Sequence, residues 1–250
     1  MPHCHGARKR AIQVGIGLTR RAAPDYVIGH AVRRLVVGGR RLDGPVKRGH
    51  DTMGQGAAQD LPLILASASP RRAALLAQAG IKPSRIVAAD IDEAPRKGEL
   101  PRAHALRLAA AKAAAIAKEE VRALVVAADT VVALGRRILP KAGTDEAVEH
   151  CLSLLSGRRH QVLTALAVAA PGKKMRMRIV ATRVAFKCLT AFEIADYVAC
   201  GEGIGKAGGY AIQGRAETFV RFINGSYSNV VGMPLYETLS LLQGCGYVRS

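Results

Sequence analysis

Two arginines follow a serine-rich turn in the segment "LASASPRR". Ser69 and the proline after it suit the N-cap and the first position of a helix. A helix N-terminus carries a partial positive charge, so Arg71 and Arg72 oppose it there. Exposed backbone N–H groups, the Ser67 hydroxyl and two guanidiniums together suit a polyphosphate. The alternative is a surface turn whose arginines point to solvent.

A carboxylate stands inside an apolar strand, at Asp129 in "VVAADTVV". A charge in such a place must be paired, bind a cation or take part in chemistry. A divalent metal with its water would satisfy Asp129, and the carboxylate could also be the base that activates that water. Thr130 adds a hydroxyl beside it. The alternative is an aspartate that caps a neighbouring turn.

A glycine-rich loop, "GEGIGKAGGYAIQG", provides a third group of candidates. Glycines let the backbone approach a ligand closely. Lys206 can neutralise a phosphate, and Gln213 offers donors and acceptors to the edge of a base. The loop is not a Walker A motif, because no Ser or Thr follows the lysine. The alternative is an ordinary flexible loop.

Further candidates are the acidic cluster of Asp90, Asp92 and Glu93 and two lysines, Lys112 and Lys141. Carboxylates after a strand can hold magnesium, although such a cluster is more often a solvated loop. The seven histidines have no metal-binding spacing, so we assign them to packing or to solvent.

Strands and helices alternate from Leu61 onward and must position these residues. The predicted strands are 63–67, 85–90, 123–134, 138–139, 160–170, 176–189 and 218–224. The predicted helices are 70–79, 101–119, 144–155, a capping-box helix from 190, and 234–243. After the Asn224-Gly225 turn we expect extended chain. The alternation predicts an α/β fold with a mixed twisted sheet and flanking helices, whose ligands bind at the carboxyl ends of strands.

The bulk composition narrows the class of protein. A chain of 250 residues with 49% hydrophobic residues is globular, and its net charge of +18 favours anionic partners, either nucleic acid or phosphorylated small molecules. No apolar run reaches the roughly 18 residues that cross a bilayer, so no membrane association is expected. Five cysteines without a C-x-x-C pair argue against a zinc site or disulfide framework and favour the cytoplasm.

The first 58 residues differ from the rest of the chain. They are rich in Arg, Gly and His, and residues 1–52 alone hold 11 Lys and Arg against 3 Asp. We predict that residues 1–58 are a basic, disordered N-terminal extension and that one domain spans 59–250. The hypothesis is that the folded domain starts near Met53, after a flexible tail or a wrongly assigned start.

Taken together, the motifs of this chain resemble the Maf family of nucleoside triphosphate pyrophosphatases, from about Leu63 to Tyr247. They are "LASASPRR", "DIDEAP", "RLAAAKA", "AADTVV", "LSGRRHQVLTALAV", "GKAGGYAIQG" and "GSYSNVVGMPL", in that order. The resemblance implies a two-lobed α/β fold with a central cleft, similar to inosine triphosphatases. It also implies a cytoplasmic hydrolase of the α–β phosphate bond that uses a divalent cation, Mg²⁺ or Mn²⁺, and is compatible with a homodimer.

The same resemblance assigns roles to individual residues. Asp129 takes the catalytic position, that of the proton acceptor, and would hold the metal with Glu93. The residues that match other polar positions of the cleft are Ser67, Arg72, Lys112, Lys141 and Lys206. Arg71, Thr130 and Gln213 match positions that separate subfamilies, and they look like the dTTP/UTP type.

Departures from the family pattern leave alternatives open. Ala74 stands where Glu is usual, Pro140 and Ala142 flank Lys141 unusually, and Gly205 precedes the loop lysine where Asp is common. A broader range of triphosphates therefore stays open. A non-catalytic nucleic-acid or nucleotide binder is the rival class, although nucleic acid is disfavoured because no aromatic stacking platform accompanies the charge. A cell-division regulator would need a partner surface that the sequence does not show.

Overall fold

The computed structural model describes residues 61–248, so the prediction for residues 1–58 lies outside the described part. The strands are β1 (Leu63–Ala66), β2 (Arg85–Val87), β3 (Leu124–Leu134), β4 (Arg137–Leu139), β5 (Arg159–Ala169), β6 (Arg176–Phe186) and β7 (Val220–Asn224). The helices are α1 (Pro70–Gln78), α2 (Pro101–Glu119), α3 (Asp145–Leu155), α4 (Ala191–Ala199), α5 (Tyr227–Val231) and α6 (Leu235–Gly244), with a 3₁₀ turn at Arg215–Phe219.

The seven strands form one mixed sheet in the order β2-β1-β3-β5-β6-β7, and β4 pairs with β3. Strand β1 runs parallel to both β2 and β3, whereas β3, β5, β6 and β7 pair antiparallel in succession. The predicted mixed sheet with flanking helices is confirmed. Long central strands of Val, Leu and Ala bury both faces, as expected of a sheet covered on two sides.

Alternate residues of β3 face two different hydrophobic cores. Val125 and Ala127 join the core under α2, and Val126 and Ala128 join the larger core on the other face. Successive side chains of a strand point to opposite faces, so this division follows from the pleat. Helix α2 meets the sheet through alanines and an isoleucine, Ala105, Ala109, Ala113 and Ile116, which recur at helical spacing.

One edge of β3 has a gap in its pairing. Strand β1 pairs with β3 only as far as Ala127, and β4 pairs with it only from Val132 onward. Residues 128–131 therefore have no partner strand on that edge, although β5 covers the other edge. A gap in the ladder leaves room for a ligand beside the strand without breaking the sheet.

The predicted elements are present, although β2 ends at Val87 and β6 ends at Phe186, each three residues before its predicted end. The capping box at Thr190 and Glu193 and the hairpin between β5 and β6 are confirmed. The segment after the Asn224-Gly225 turn is helical, so the expectation of extended chain was wrong. Ser226 caps this short helix, because its hydroxyl accepts from the Asn229 amide. Within residues 61–248, no helix has the length and apolar character that a membrane span requires.

Candidate active site

A cavity of about 350 Å³ adjoins the unpaired stretch of β3. This volume suits one small molecule. Of the ten residues to which the family resemblance gives a role, nine line it: Ser67, Arg71, Arg72, Glu93, Lys112, Asp129, Thr130, Lys141 and Lys206. Gln213 does not; its exposed side chain lines an adjoining cavity of about 30 Å³, which shares Arg71 and Tyr210 with the larger one.

Charges of alternating sign cross the cavity from Asp129 to Lys141. The Lys112 ammonium lies 2.7 Å from Asp129 Oδ1 and 2.6 Å from Glu93 Oε1, and Lys141 bonds the other oxygen of Glu93. Burial raises the pKa of Glu93, but the hydrogen bonds from the two lysines outweigh it and lower that pKa to about 2. Glu93 is therefore ionised at neutral pH, and Lys112 joins two carboxylates.

The Asp129–Lys112 contact follows from the pleat of β3 and the position of α2. Asp129 falls on the same face as Ala127 and Val131, both of which pack in the core under α2. Lys112 is buried on that helix, next to Ala113. A buried aspartate and a buried lysine on facing elements thus satisfy each other, as buried charges require.

Arg72 ties the start of α1 to two distant parts of the chain. Its guanidinium donates to Ser67 Oγ at 3.0 Å, to Thr130 Oγ1 at 3.2 Å and to the Gly232 carbonyl at 2.9 Å. Burial lowers the pKa of Arg72, whereas Asp129 opposes that shift. The group stays cationic, because an arginine does not lose its proton in proteins. The apparent conflict with the helix dipole is thus offset by three hydrogen bonds.

The sequence analysis missed two buried residues, Thr164 and Asn229, which lie behind the cavity-lining Thr130. Thr164 of β5 lies 3.0 Å from the Thr130 hydroxyl and donates to the Asn229 carbonyl. The Asn229 amide group donates in turn to the Val162 carbonyl and to Thr182 Oγ1. The signal in the sequence is small: one threonine in the apolar "QVLTALAV" and one asparagine in "SYSNVVG".

Two cations of the cavity are not committed to acidic partners in residues 61–248. Arg71 has no side-chain hydrogen bond there, and Lys206 Nζ bonds only the Ile204 carbonyl, at 3.1 Å. Burial lowers the pKa of both, and Arg71 lowers that of Lys206 further. In all, five cationic side chains and two carboxylates line the cavity, so its field favours a polyanion.

The predicted metal ligands are compatible with a cation that a substrate would help to hold. Of the acidic cluster, only Glu93 lines the cavity; Asp90 is exposed, and Asp92 accepts from the Ala94 amide. No group of three or more His, Cys, Asp or Glu side chains within the described chain forms a metal cage. Magnesium commonly takes one or two carboxylates and completes its shell with substrate phosphates and water. Glu93 and Asp129 are donors of this kind, but lysines contact three of their four carboxylate oxygens, so a cation there would share them with Lys112 and Lys141.

The family model for Maf-like proteins matches residues 62–245, which is most of the chain. The chain belongs to the Maf family. Many curated proteins are similar to it. A Rhodospirillum rubrum relative is 54% identical over 209 residues, covering 84% of this chain and 96% of its own. A Caulobacter vibrioides relative is 57% identical over 185 residues, covering 74% and 96%. Both Maf relatives carry the name dTTP/UTP pyrophosphatase.

Solved structures show more distant likenesses to this Maf protein. The Staphylococcus aureus Ham1 protein aligns with a TM-score of 0.44 and 15% identity, over 73% of this chain and 98% of its own. A nucleoside-triphosphatase, or dITP/XTP pyrophosphatase, from Mycobacterium abscessus aligns with a TM-score of 0.32 and 19% identity, over 50% and 73%.

Proposed function

We propose that this chain hydrolyses the α–β phosphate bond of dTTP and UTP. The products are the nucleoside monophosphate and inorganic diphosphate. The observation that carries the proposal is a buried carboxylate, Asp129, in a small cavity that five cationic side chains line. Such a cavity combines a base with strong attraction for a polyphosphate. Membership of the Maf family and relatives named dTTP/UTP pyrophosphatase support the same reaction.

Asp129 is the proton acceptor in this proposal. A water oxygen attacks the α-phosphorus, the bond to the bridging oxygen breaks, diphosphate leaves, and the proton of the water passes to the carboxylate. Lys112 occupies Oδ1 of Asp129, and within residues 61–248 no side chain donates a hydrogen bond to Oδ2. Oδ2 is therefore the oxygen that we assign to the attacking water.

The cationic side chains of the cavity bind the triphosphate in this scheme. Lys206 lacks an acidic partner among the described residues, so phosphate oxygens can take its donors directly. Lys141 gives Glu93 one bond and has further donors to offer. A divalent cation held by Asp129, Glu93 and substrate phosphates would add charge neutralisation and polarise the α-phosphate.

Arg71, Thr130 and Gln213 are the residues that we propose select the nucleotide. Arg71 and Gln213 line the small adjoining cavity, whereas Thr130 lines only the larger one. A panel of common and modified triphosphates, assayed with Mg²⁺ or Mn²⁺ for release of diphosphate, tests the preference for dTTP and UTP. Comparable rates for purine and pyrimidine triphosphates would favour the broad-range alternative.

A nucleic-acid binder is the less well supported function. The cations described above converge on a cavity of about 350 Å³, which has room for one nucleotide and not for a duplex. Release of diphosphate and salt-sensitive DNA binding distinguish the two classes. The compartment that we propose for the enzyme is the cytoplasm, where nucleoside triphosphates are made and consumed.

Replacing Asp129 tests the assignment of the base. Asp129→Asn should lower kcat at least about 100-fold, because an amide cannot accept the proton of the attacking water. It should still bind an α,β-methylene analogue of dTTP, which calorimetry measures. Asp90→Asn is the matched control, since Asp90 is exposed and outside the cavity. Unchanged turnover in Asp129→Asn would falsify the assignment.

A further inference from the structure

Glu93 lies on a long irregular segment, and neither the sheet nor a helix fixes its position. Residues 88–100 connect β2 to α2 without any strand or helix of their own. Most of the side chains in this segment are exposed. Glu93 nevertheless comes within 2.6 Å of Lys112 on α2. Some interaction other than regular backbone pairing must hold the segment there, because an unrestrained loop samples many conformations.

A two-pronged ion pair joins this segment to α2. Arg107 donates from Nε to Glu99 Oε1 and from Nη2 to Glu99 Oε2, each at 2.7 Å. The same Nη2 donates to the Ala94 carbonyl at 3.0 Å. Arg107 therefore binds Glu99, near the end of the segment, and Ala94, the residue directly after Glu93.

Further bonds leave the Glu99 carboxylate fully engaged. The Arg96 amide donates to Oε2 at 3.0 Å, and His104 Nδ1 lies 2.9 Å from the same oxygen. The Arg107 hydrogen bonds hold the pKa of Glu99 well below its usual range. The Glu99 side chain is only 9% exposed, and that of Arg107 is 22% exposed. A bidentate pair with this burial is stronger than the exposed pairs that contribute little.

Two long side chains of α2 contact two neighbouring residues of the segment. Arg107 and Lys112 are five residues apart, which is about 7.5 Å along a helix. Arg107 binds the Ala94 carbonyl, and Lys112 binds the Glu93 carboxylate. The helix thus contacts the segment at two adjacent residues, and the second contact reaches into the cavity.

We propose that Arg107 and Glu99 are positioning residues, which hold residues 88–100 against α2 and so keep the Glu93 carboxylate on Lys112 within the cavity. Neither side chain lines the cavity, so they act through Glu93. The kinetic consequence rests on the proposed pyrophosphatase function, whereas the structural consequence does not. Loss of the Arg107–Glu99 ion pair should displace Glu93. A small displacement of a site residue can lower the rate by up to about 100-fold.

Hydrogen–deuterium exchange of residues 88–98 without nucleotide tests whether Arg107 and Glu99 hold this segment against α2. Arg107→Ala and the milder Glu99→Gln should both speed exchange in this segment, while the amides of β3 and β5 keep their protection. Arg102→Ala is the matched control, because Arg102 is an exposed arginine on the same helix. Unchanged exchange of the segment in both variants would overturn the proposal.

A double-mutant cycle on diphosphate release tests whether Arg107 affects the reaction through Glu93. Arg107→Ala should lower kcat/KM about 10-fold or more, and Arg107→Lys should restore part of the loss. In a Glu93→Gln background, the same Arg107→Ala change should have less than about a 2-fold effect, since its target is already gone. Effects that multiply instead would overturn the link between Arg107 and Glu93.

The two readouts separate the failure of this inference from the failure of the proposed function. If the variants exchange faster but the wild-type protein releases no diphosphate from any nucleotide, the pyrophosphatase function is contradicted. The role of Arg107 and Glu99 in holding residues 88–100 is then still supported. Faster exchange with full activity in both variants would overturn the positioning role and leave the pyrophosphatase function intact.

Discussion

Lys112 is a buried lysine that contacts two carboxylates, so its removal should destabilise the fold. Lys112→Met keeps the length of the side chain and removes the ammonium that lies 2.6 Å from Glu93 and 2.7 Å from Asp129. The side chains of Lys112 and Asp129 are only 8% and 5% exposed, so water from the cavity replaces the lost cation only in part. Removing one partner of a buried ion pair typically costs about 3–5 kcal/mol.

The size of this loss is consistent with the number of bonds. Two hydrogen bonds to charged groups are worth about 1.5–3 kcal/mol each, although Glu93 keeps Lys141 and is 37% exposed. We therefore expect Lys112→Met to lower the free energy of unfolding by about 3–5 kcal/mol at pH 7. Urea unfolding followed by circular dichroism measures it. Lys118→Met, at an exposed lysine of the same helix, should change it by less than about 0.5 kcal/mol.

The loss should also depend on pH. The folded pKa of Glu93 is about 2, below the ordinary value of 4.5, and Lys112 is one of its two causes. The stability from this shift is present above pH 4.5 and is lost as the pH falls toward 2. The difference between wild type and Lys112→Met should therefore shrink between pH 4.5 and 2. A loss below about 1 kcal/mol at pH 7, or one that is equal at pH 7 and pH 3, would refute the reasoning.

Two further predictions concern buried groups. Burial lowers the pKa of His160 to about 4 from 6.5, so this residue should subtract up to about 1.4 kcal/mol of unfolding free energy per pH unit as pH falls from 6.5 to 4. Urea titrations of His160→Leu should lack that component, and an unchanged slope contradicts it. Gly208 and Gly201 both have left-handed backbones, but an added Cβ would meet Val132 at 2.7 Å only at Gly208. Gly208→Ala should therefore cost about 1–3 kcal/mol more than Gly201→Ala in the same assay, and equal costs would argue against the clash.

The sequence predicted much of the candidate site because each motif is short and chemically unusual. Two arginines in the first turn of a helix and an aspartate inside an apolar strand violate local preference. Such conflicts tend to mark functional positions, since a local rule is broken only where something else compensates. Arg71, Arg72 and Asp129 were therefore identifiable as candidates before any contact was known.

Arg107, Thr164 and Asn229 were harder to find from the sequence. Arg107 stands within the motif "RLAAAKA", but a lone arginine on a helix is usually a solvated side chain. Thr164 and Asn229 are single polar residues in apolar stretches. Their roles depend on partners 65 positions apart along the chain, and no local pattern encodes that separation.

The sequence by itself determined the alternation of strands and helices, the capping box and the identity of the charged residues, because periodicity and capping act over a few neighbouring positions. The tertiary structure alone decided that β1 ends and β4 begins on either side of Asp129, which leaves the gap that the cavity adjoins. It also decided that Lys112 joins two carboxylates and that Arg72 reaches Gly232, 160 residues away. These contacts depend on strand register and helix placement, which the packing of both cores sets together.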